Sequence, residues 1–239
     1  MNSTVPAISI GGLALAFLPA VVVIGIMWRW RSDAGTAAYA TARMLVQLLL
    51  IGYVLIYIFE TDDWRIIAAV LLVMLGASAW IAIRTLRERS LRAYWQALIA
   101  IAAGGVLTLG LVAQLVIGIE PWYSPRFVVP LAGMTFAGSM NAVSLAADRF
   151  EAERTRGESL LSARQQAFHT ALIPIINSLF AVGLVALPGM MTGQILSGVS
   201  PLIAAKYQIV VMTMLFGATG ISAACYLWFQ RGPLPERAR

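Results

Sequence analysis

Apolar runs long enough to cross a bilayer recur along nearly the whole 239-residue chain. This repetition constrains the fold more than any other feature. About 20 apolar residues span the hydrocarbon core as a helix. Runs of that kind cover residues 5–28, 37–59, 66–83, 96–119, 127–147, 170–187 and 208–229. Helices are the spanning element they allow, because lipid offers backbone polar groups no partner and the runs exceed what a barrel strand needs. Composition agrees. The chain is 60% hydrophobic and 12% charged, against about 25% charged residues in a soluble domain. The predicted fold class is all-α, a polytopic helical membrane protein with about seven transmembrane helices, read as one domain over residues 1–239.

Basic residues set the expected orientation. Arg29, Arg31 and Arg43 follow the first run, and Arg84, Arg87, Arg89 and Arg92 follow the third. Arg149, Arg154, Arg156 and Arg164 follow the fifth, and Arg231, Arg237 and Arg239 the last. Only Arg65, Arg126 and Lys206 fall between. Loops rich in Lys and Arg stay in the cytoplasm, which predicts an outside N-terminus and a cytoplasmic C-terminus. The opening residues MNSTVPAIS carry no basic stretch and do not resemble a cleaved signal peptide. The net charge of +6 is spread in short clusters between apolar runs. It does not form a patch, and nucleic acid is not an expected partner. The lipid bilayer is.

No phosphate-binding GxxxxGK[ST], GxSxG or HExxH stretch occurs. The single histidine, His169, cannot build a His-rich metal site within one chain. The single cysteine, Cys225, excludes an internal disulfide and a thiolate zinc site. No enzyme is predicted, and no metal site or cofactor is assigned to this chain. The acidic residues all lie in loops, tails or span ends. Ion-driven transporters use intramembrane carboxylates to bind the coupling ion, so any pumping here must draw energy from elsewhere. Within the apolar runs the polar groups are amides and hydroxyls. Gln47, Gln114, Asn141, Asn177 and Gln208 are the substrate-path candidates, with helix–helix hydrogen bonding as the plainer use of each.

Two segments stand apart. Residues 148–169 read DRFEAERTRGESLLSARQQAFH, which fits an amphipathic helix or helix pair at the membrane surface, or a solvated connector. Residues 187–202 are apolar but punctuated by Pro188, Gly189, Gly193, Gly198 and Pro201. Broken helices at membrane depth survive beside protein or a water-filled cavity and mark transport pathways; a loop dipping into the headgroups has the same composition. Met190 and Met191 offer soft thioether ligands. Neighbours on a helix face different ways, so packing or gating is the preferred reading over ligation.

The stretch ALIPIIN at 171–177 followed by GLVALPGMMTGQILSGVSPLIAAKYQIVVM at 183–212 resembles the FetB-type ABC-transporter permeases. That family includes a bacterial permease linked to iron export and plant aluminium-tolerance permeases. MNAVSLAADRF at 140–150 is similar to the family's fifth span leaving the membrane. One departure is the short stretch before Ala171, where Arg156-Gly157-Glu158 stands in place of a longer turn.

The resemblance implies a permease homodimer in the plasma (inner) membrane, bound to a separate ABC ATP-binding subunit that holds ATP and Mg. It implies export of a metal ion such as iron. A lipid-like or nucleotide-sugar cargo, or a non-transporting scaffold or sensor, is the alternative. Under it, Glu151, Glu153, Arg154, Gly157 and Glu158 couple to the ATPase. Pro188, Gly189, Met190, Met191, Thr192, Gly193 and Gln194 form a gate or hinge.

Overall fold

The computed structural model describes residues 8–86 and 88–230. The first residues of the first expected span, together with Arg87, Arg231, Arg237 and Arg239, lie outside the described residues. The chain forms two compact units, Met1–Glu60 and Thr61–Arg239. Their regular elements are helices.

In the first unit, α1 (Ile10–Ala16) opens on a Ser9 cap whose Oγ accepts from the Gly12 N–H at 3.1 Å. Helix α2 (Leu18–Arg29) continues the same apolar run. Asp33 caps α3 (Ala34–Glu60) by accepting from the Thr36 N–H at 3.0 Å, and α2 and α3 pack as a hairpin.

The second unit opens with α4 (Trp64–Ala82), capped by Asp63 and ended by a 3-10 turn at Ile83–Thr85. Ser90 caps α5 (Leu91–Ile101), whose axis runs on through wide π-helical turns at Ala102–Val106 and Leu111–Ile117 on either side of α6 (Leu107–Gly110). Gly118, at φ +69°, ends this span in the left-handed region where a side chain is disfavoured. Then follow α7 (Pro125–Thr155), α8 (Leu160–Ala181), α9 (Gly189–Leu196) and α10 (Pro201–Phe229).

Lipid tails are as apolar as leucine, so close packing of small residues must hold such helices together. Helices α7 and α10 form the centre, and their junction with the π-turn shows how. A Cβ added to Gly104 would strike the Ala218 carbonyl and come within 2.7 Å of the Ser222 N. One added to Gly105 would sit 2.9 Å from the Phe136 ring, and one on Gly138 would sit 3.2 Å from Thr219 Oγ1. Leu131, Val143 and Val211 are buried alongside. Hydroxyls in this seam return their protons to their own helices: Thr135 to the Leu131 carbonyl at 2.6 Å and Thr108 to that of Gly104 at 2.6 Å. Ser139 Oγ and Ser222 Oγ are buried without a hydrogen-bond partner among the described residues.

Six helical stretches among the described residues have the length and apolarity to cross a membrane. The multi-pass all-α expectation is therefore met. The sixth expected span, 170–187, is redrawn: α8 begins at Leu160 and stops at Ala181. Its first half carries Arg164, Gln165, Gln166 and His169, so hydropathy places the span too late. Its end is set by Val182, which turns extended, and Gly183, at φ +83°. The last span is longer than expected, starting at Pro201 rather than at 208.

Candidate functional site

Two regions collect the chemistry, one at each end of α8. At its start, α7 and α8 meet in a tight turn over residues 156–159, with Gly157 at φ +91°. The charges of 148–169 are organised inward as well as outward. Glu153 is only 3% exposed. Its carboxylate takes Arg149 at 2.7 Å and Arg156 at 3.1 Å, which is what permits a charge to be buried there. Arg154 donates to the Glu158 carbonyl at 2.7 Å, and the Ser162 hydroxyl donates to the Glu158 carboxylate at 2.8 Å. Arg149 also reaches Gln166 at 3.0 Å, joining α7 to α8. Glu151 is half-buried on α7. Thr155, Arg156, Gly157 and Ser159 are the exposed apex of the turn.

The same end holds α10. Arg164 donates through Nε to the Leu227 carbonyl at 3.1 Å and through Nη2 to that of Gln230 at 3.0 Å, capping the last carbonyls of α10. Gln230 reaches Gln96 on α5 at 3.2 Å, and Thr85 meets Ser144 on α7 at 3.2 Å. Helices α5, α7, α8 and α10 are thus tied together where the arginines cluster.

The opposite end is open. From the Arg164–Leu227 level, α10 rises about 39 Å to Pro201 at 1.5 Å per residue, whereas α8 rises only about 26 Å to Ala181. Residues 182–186 fold back as a turn, with the Val185 N–H bonding the Ala181 carbonyl at 2.8 Å and the Gly183 N–H that of Ala186 at 3.0 Å. Leu184 and Val185 stand about nine-tenths exposed. The PGMMTG segment, expected to be a broken helix, is itself helical. Pro188 caps α9, the Thr192 hydroxyl donates to the Pro188 carbonyl at 3.1 Å, and the Ser197 hydroxyl donates to that of Gly193 at 2.8 Å. The breaks fall on either side, at Gly183 and at Gly198, whose φ of +92° is left-handed. Gly189 and Gly193 face open space, where an added Cβ would meet nothing within 4 Å.

A groove of about 340 Å³ lies between the end of α8, the 182–186 turn, α9 and α10. Its walls are Leu179, Val182, Gly183, Met191 and, from α10, Ala205, Gln208, Ile209, Met212 and Thr213. Gln208 is 6% exposed, and its Oε1 has no hydrogen-bond partner among the described residues. Gln194 Oε1 on α9 is buried in the same condition.

Of the five substrate-path candidates, only Gln208 enters this groove. Gln114, Asn141 and Asn177 are exposed on other faces of the second unit. Gln47, in the first unit, is exposed on α3, one turn from the Arg43 guanidinium that its amide oxygen can meet at 3.2 Å. Of the gate candidates, Met191 lines the groove and Met190 packs against the core. Sequence reasoning missed Met212 and Thr213, which lie one turn on from Gln208 and Ile209 respectively and so continue the same wall. It also missed the Arg164 clamp, whose partners are backbone carbonyls and leave no mark in the sequence.

Long apolar helices packed through a seam of small residues, with ionic groups gathered at one end, define a multi-pass integral membrane protein. Residues 10–232 match the family described as "Uncharacterised protein family (UPF0014)", and the chain belongs to it. It is 32% identical to the "Probable iron export permease protein FetB" of Escherichia coli (strain K12), over 92% of this chain and 90% of that protein. It is 36% identical to the "UPF0014 membrane protein STAR2" of Oryza sativa subsp. japonica, over 79% of this chain and 70% of that one. With the "Protein ALUMINUM SENSITIVE 3" of Arabidopsis thaliana it shares 32% identity, over 79% and 73% respectively. No solved structure matches the chain.

Proposed function

We propose that the chain is the transmembrane permease subunit of an ATP-driven ABC transporter, working as a homodimer in the plasma (inner) membrane and exporting a metal ion such as iron. The observation that carries the reading is the turn between α7 and α8. A partner that hydrolyses ATP can move a permease only by pushing on something stiff. Thr155, Arg156, Gly157 and Ser159 at the apex are exposed, while Glu153 braces it from within through Arg149 and Arg156. Behind it, Arg164 fastens α8 to α10. Displacement of the apex is thereby passed to α7, α8 and α10 together, and the loosely packed 182–200 region at the other end is the part free to open. The arginine-rich end is the cytoplasmic one in this reading. Likeness to a relative named an iron export permease supports the cargo class.

Asn141 and Asn177 add support for a dimer. An amide exposed on a membrane-spanning helix is costly in lipid unless other protein covers it.

Reconstitution with the partner ATPase tests the proposal. ATPase activity should rise on adding the permease and respond to metal ions in a panel that also holds lipids and sugar nucleotides. Thr155→Arg at the exposed apex, which leaves the Glu153 ion pairs in place, should abolish the stimulation while the permease stays folded. An ATPase that neither binds the permease nor changes rate would overturn the reading, and a response confined to the organic compounds would overturn the metal cargo.

A further inference from the structure

The groove at the open end has an unusual set of electron-pair donors. Two thioethers reach it from different elements, Met191 from α9 and Met212 from α10. Gln208 lies one turn before Met212 on the same face and adds a buried carbonyl oxygen that nothing satisfies. Thr213 gives its hydroxyl proton to the Ile209 and Val210 carbonyls, which leaves its oxygen lone pairs unused. A buried amide oxygen without a partner is costly, and in this groove no protein donor relieves it.

All these donors are neutral. Among the described residues, no group of three or more His, Cys, Asp or Glu side chains comes together. The nearest cation along α10, Lys206, is displaced about 200° around the helix from Gln208 and does not line the groove. Stripping water from an ion costs energy that rises steeply with its charge, and neutral donors return little of it for a trivalent ion. Thioethers are soft and select soft ions. The objection that Met190 and Met191 diverge does not apply to this pair, because Met212 and not Met190 is the companion of Met191.

We propose that the groove between α8, α9 and α10 binds a soft monovalent cation of the copper(I) or silver(I) class, held by the thioethers of Met191 and Met212 with the amide oxygen of Gln208. A few weak neutral ligands suit a station on a pathway, which must release what it binds. The proposal rests on the permease reading for that role and not for the binding itself.

The test uses silver(I), which stays monovalent in buffer, titrated calorimetrically into the full chain in lipid nanodiscs in chloride-free solution. A Cys225→Ser background removes the competing thiol. One saturable site per chain is expected. Met191→Leu and Met212→Leu should each weaken it at least tenfold, and Met140→Leu on α7 should leave it unchanged. In the background protein, with both thioethers present, the methyl carbon resonances of Met191 and Met212 should shift together at one equivalent of silver, a readout that needs no thioether substitution. Absence of saturable binding, undiminished affinity in the Met191→Leu/Met212→Leu double variant, or unshifted methyl resonances would each overturn the proposal. ATP-driven transport without silver binding would sink this site and leave the permease reading standing. Silver binding without any partner ATPase response would do the reverse.

Discussion

The guanidinium of Arg164, early in α8, donates to the carbonyl of Leu227, near the end of α10, at 3.1 Å. Its other nitrogen reaches the Gln230 carbonyl at 3.0 Å. One side chain therefore closes a helix to which it does not belong.

Arg164→Met should lose these charge-assisted bonds and lower stability by about 2–3 kcal/mol. Thermal unfolding in detergent measures the loss. Amide exchange should quicken at the end of α10 before it does elsewhere. Arg164→Lys should restore little, because an ammonium lacks the planar fork that meets two carbonyls at once. Equal melting of Arg164→Met and the parent would show that the clamp is idle.

Glu153→Ala should cost about 2–3 kcal/mol, because it removes the charge-assisted bonds from Arg149 and Arg156. Gly157→Ala should cost only about 1 kcal/mol, the strain of a side chain at φ +91°. Chemical unfolding of the two variants side by side ranks them. If Gly157→Ala proved the more damaging, Glu153 would not be the brace of this turn.

Two glycines with the same sequence appearance should behave oppositely. Gly104→Ala drives a methyl into the backbone of α10 and should abolish folding or yield. Gly193→Ala points a methyl into open space inside α9 and should leave the melting temperature unchanged or raise it, since alanine favours the helix by up to about 1 kcal/mol. Expression level and melting temperature decide the matter within one experiment.

Gly193→Leu carries the same logic into function. A Cβ at this position meets nothing within 4 Å, so purified protein should be obtained in normal yield and melt normally. ATP-driven flux should fall at least tenfold if α9 moves against another surface during transport. Unchanged flux would remove α9 from the gate.

Much of this architecture was legible in the sequence because hydrocarbon imposes one rule everywhere. Any run long enough to span must be helical, and the runs ending at Phe59 and Phe229 finish within a residue of the helices that contain them. The fate of 170–187 was not legible. Its hydropathy continues smoothly through Leu184 and Val185, while the helix stops because Gly183 is left-handed, a choice made by backbone and not by polarity. Glu153, expected from the resemblance to couple to the ATPase, is instead buried under Arg149, one turn back on α7, and Arg156 at the turn. The π-turns around α6 leave no mark in the hydropathy, yet there Gly104 is a landing for α10 and Gly105 for the Phe136 ring of α7. Gln208 alone among the amides was placed in a groove, and no pattern along the chain separates it from Asn141 or Asn177.

Beyond Pro130, α7 continues without proline from Leu131 to Thr155. That stretch is a rod about 36 Å long. Tilting it by about 10° at the arginine-rich end would sweep the far end sideways by roughly 6 Å, close to the pitch of one helical turn. Rotation alone, with every backbone bond of the rod intact, is therefore enough leverage to carry a side chain from one docking notch to the next.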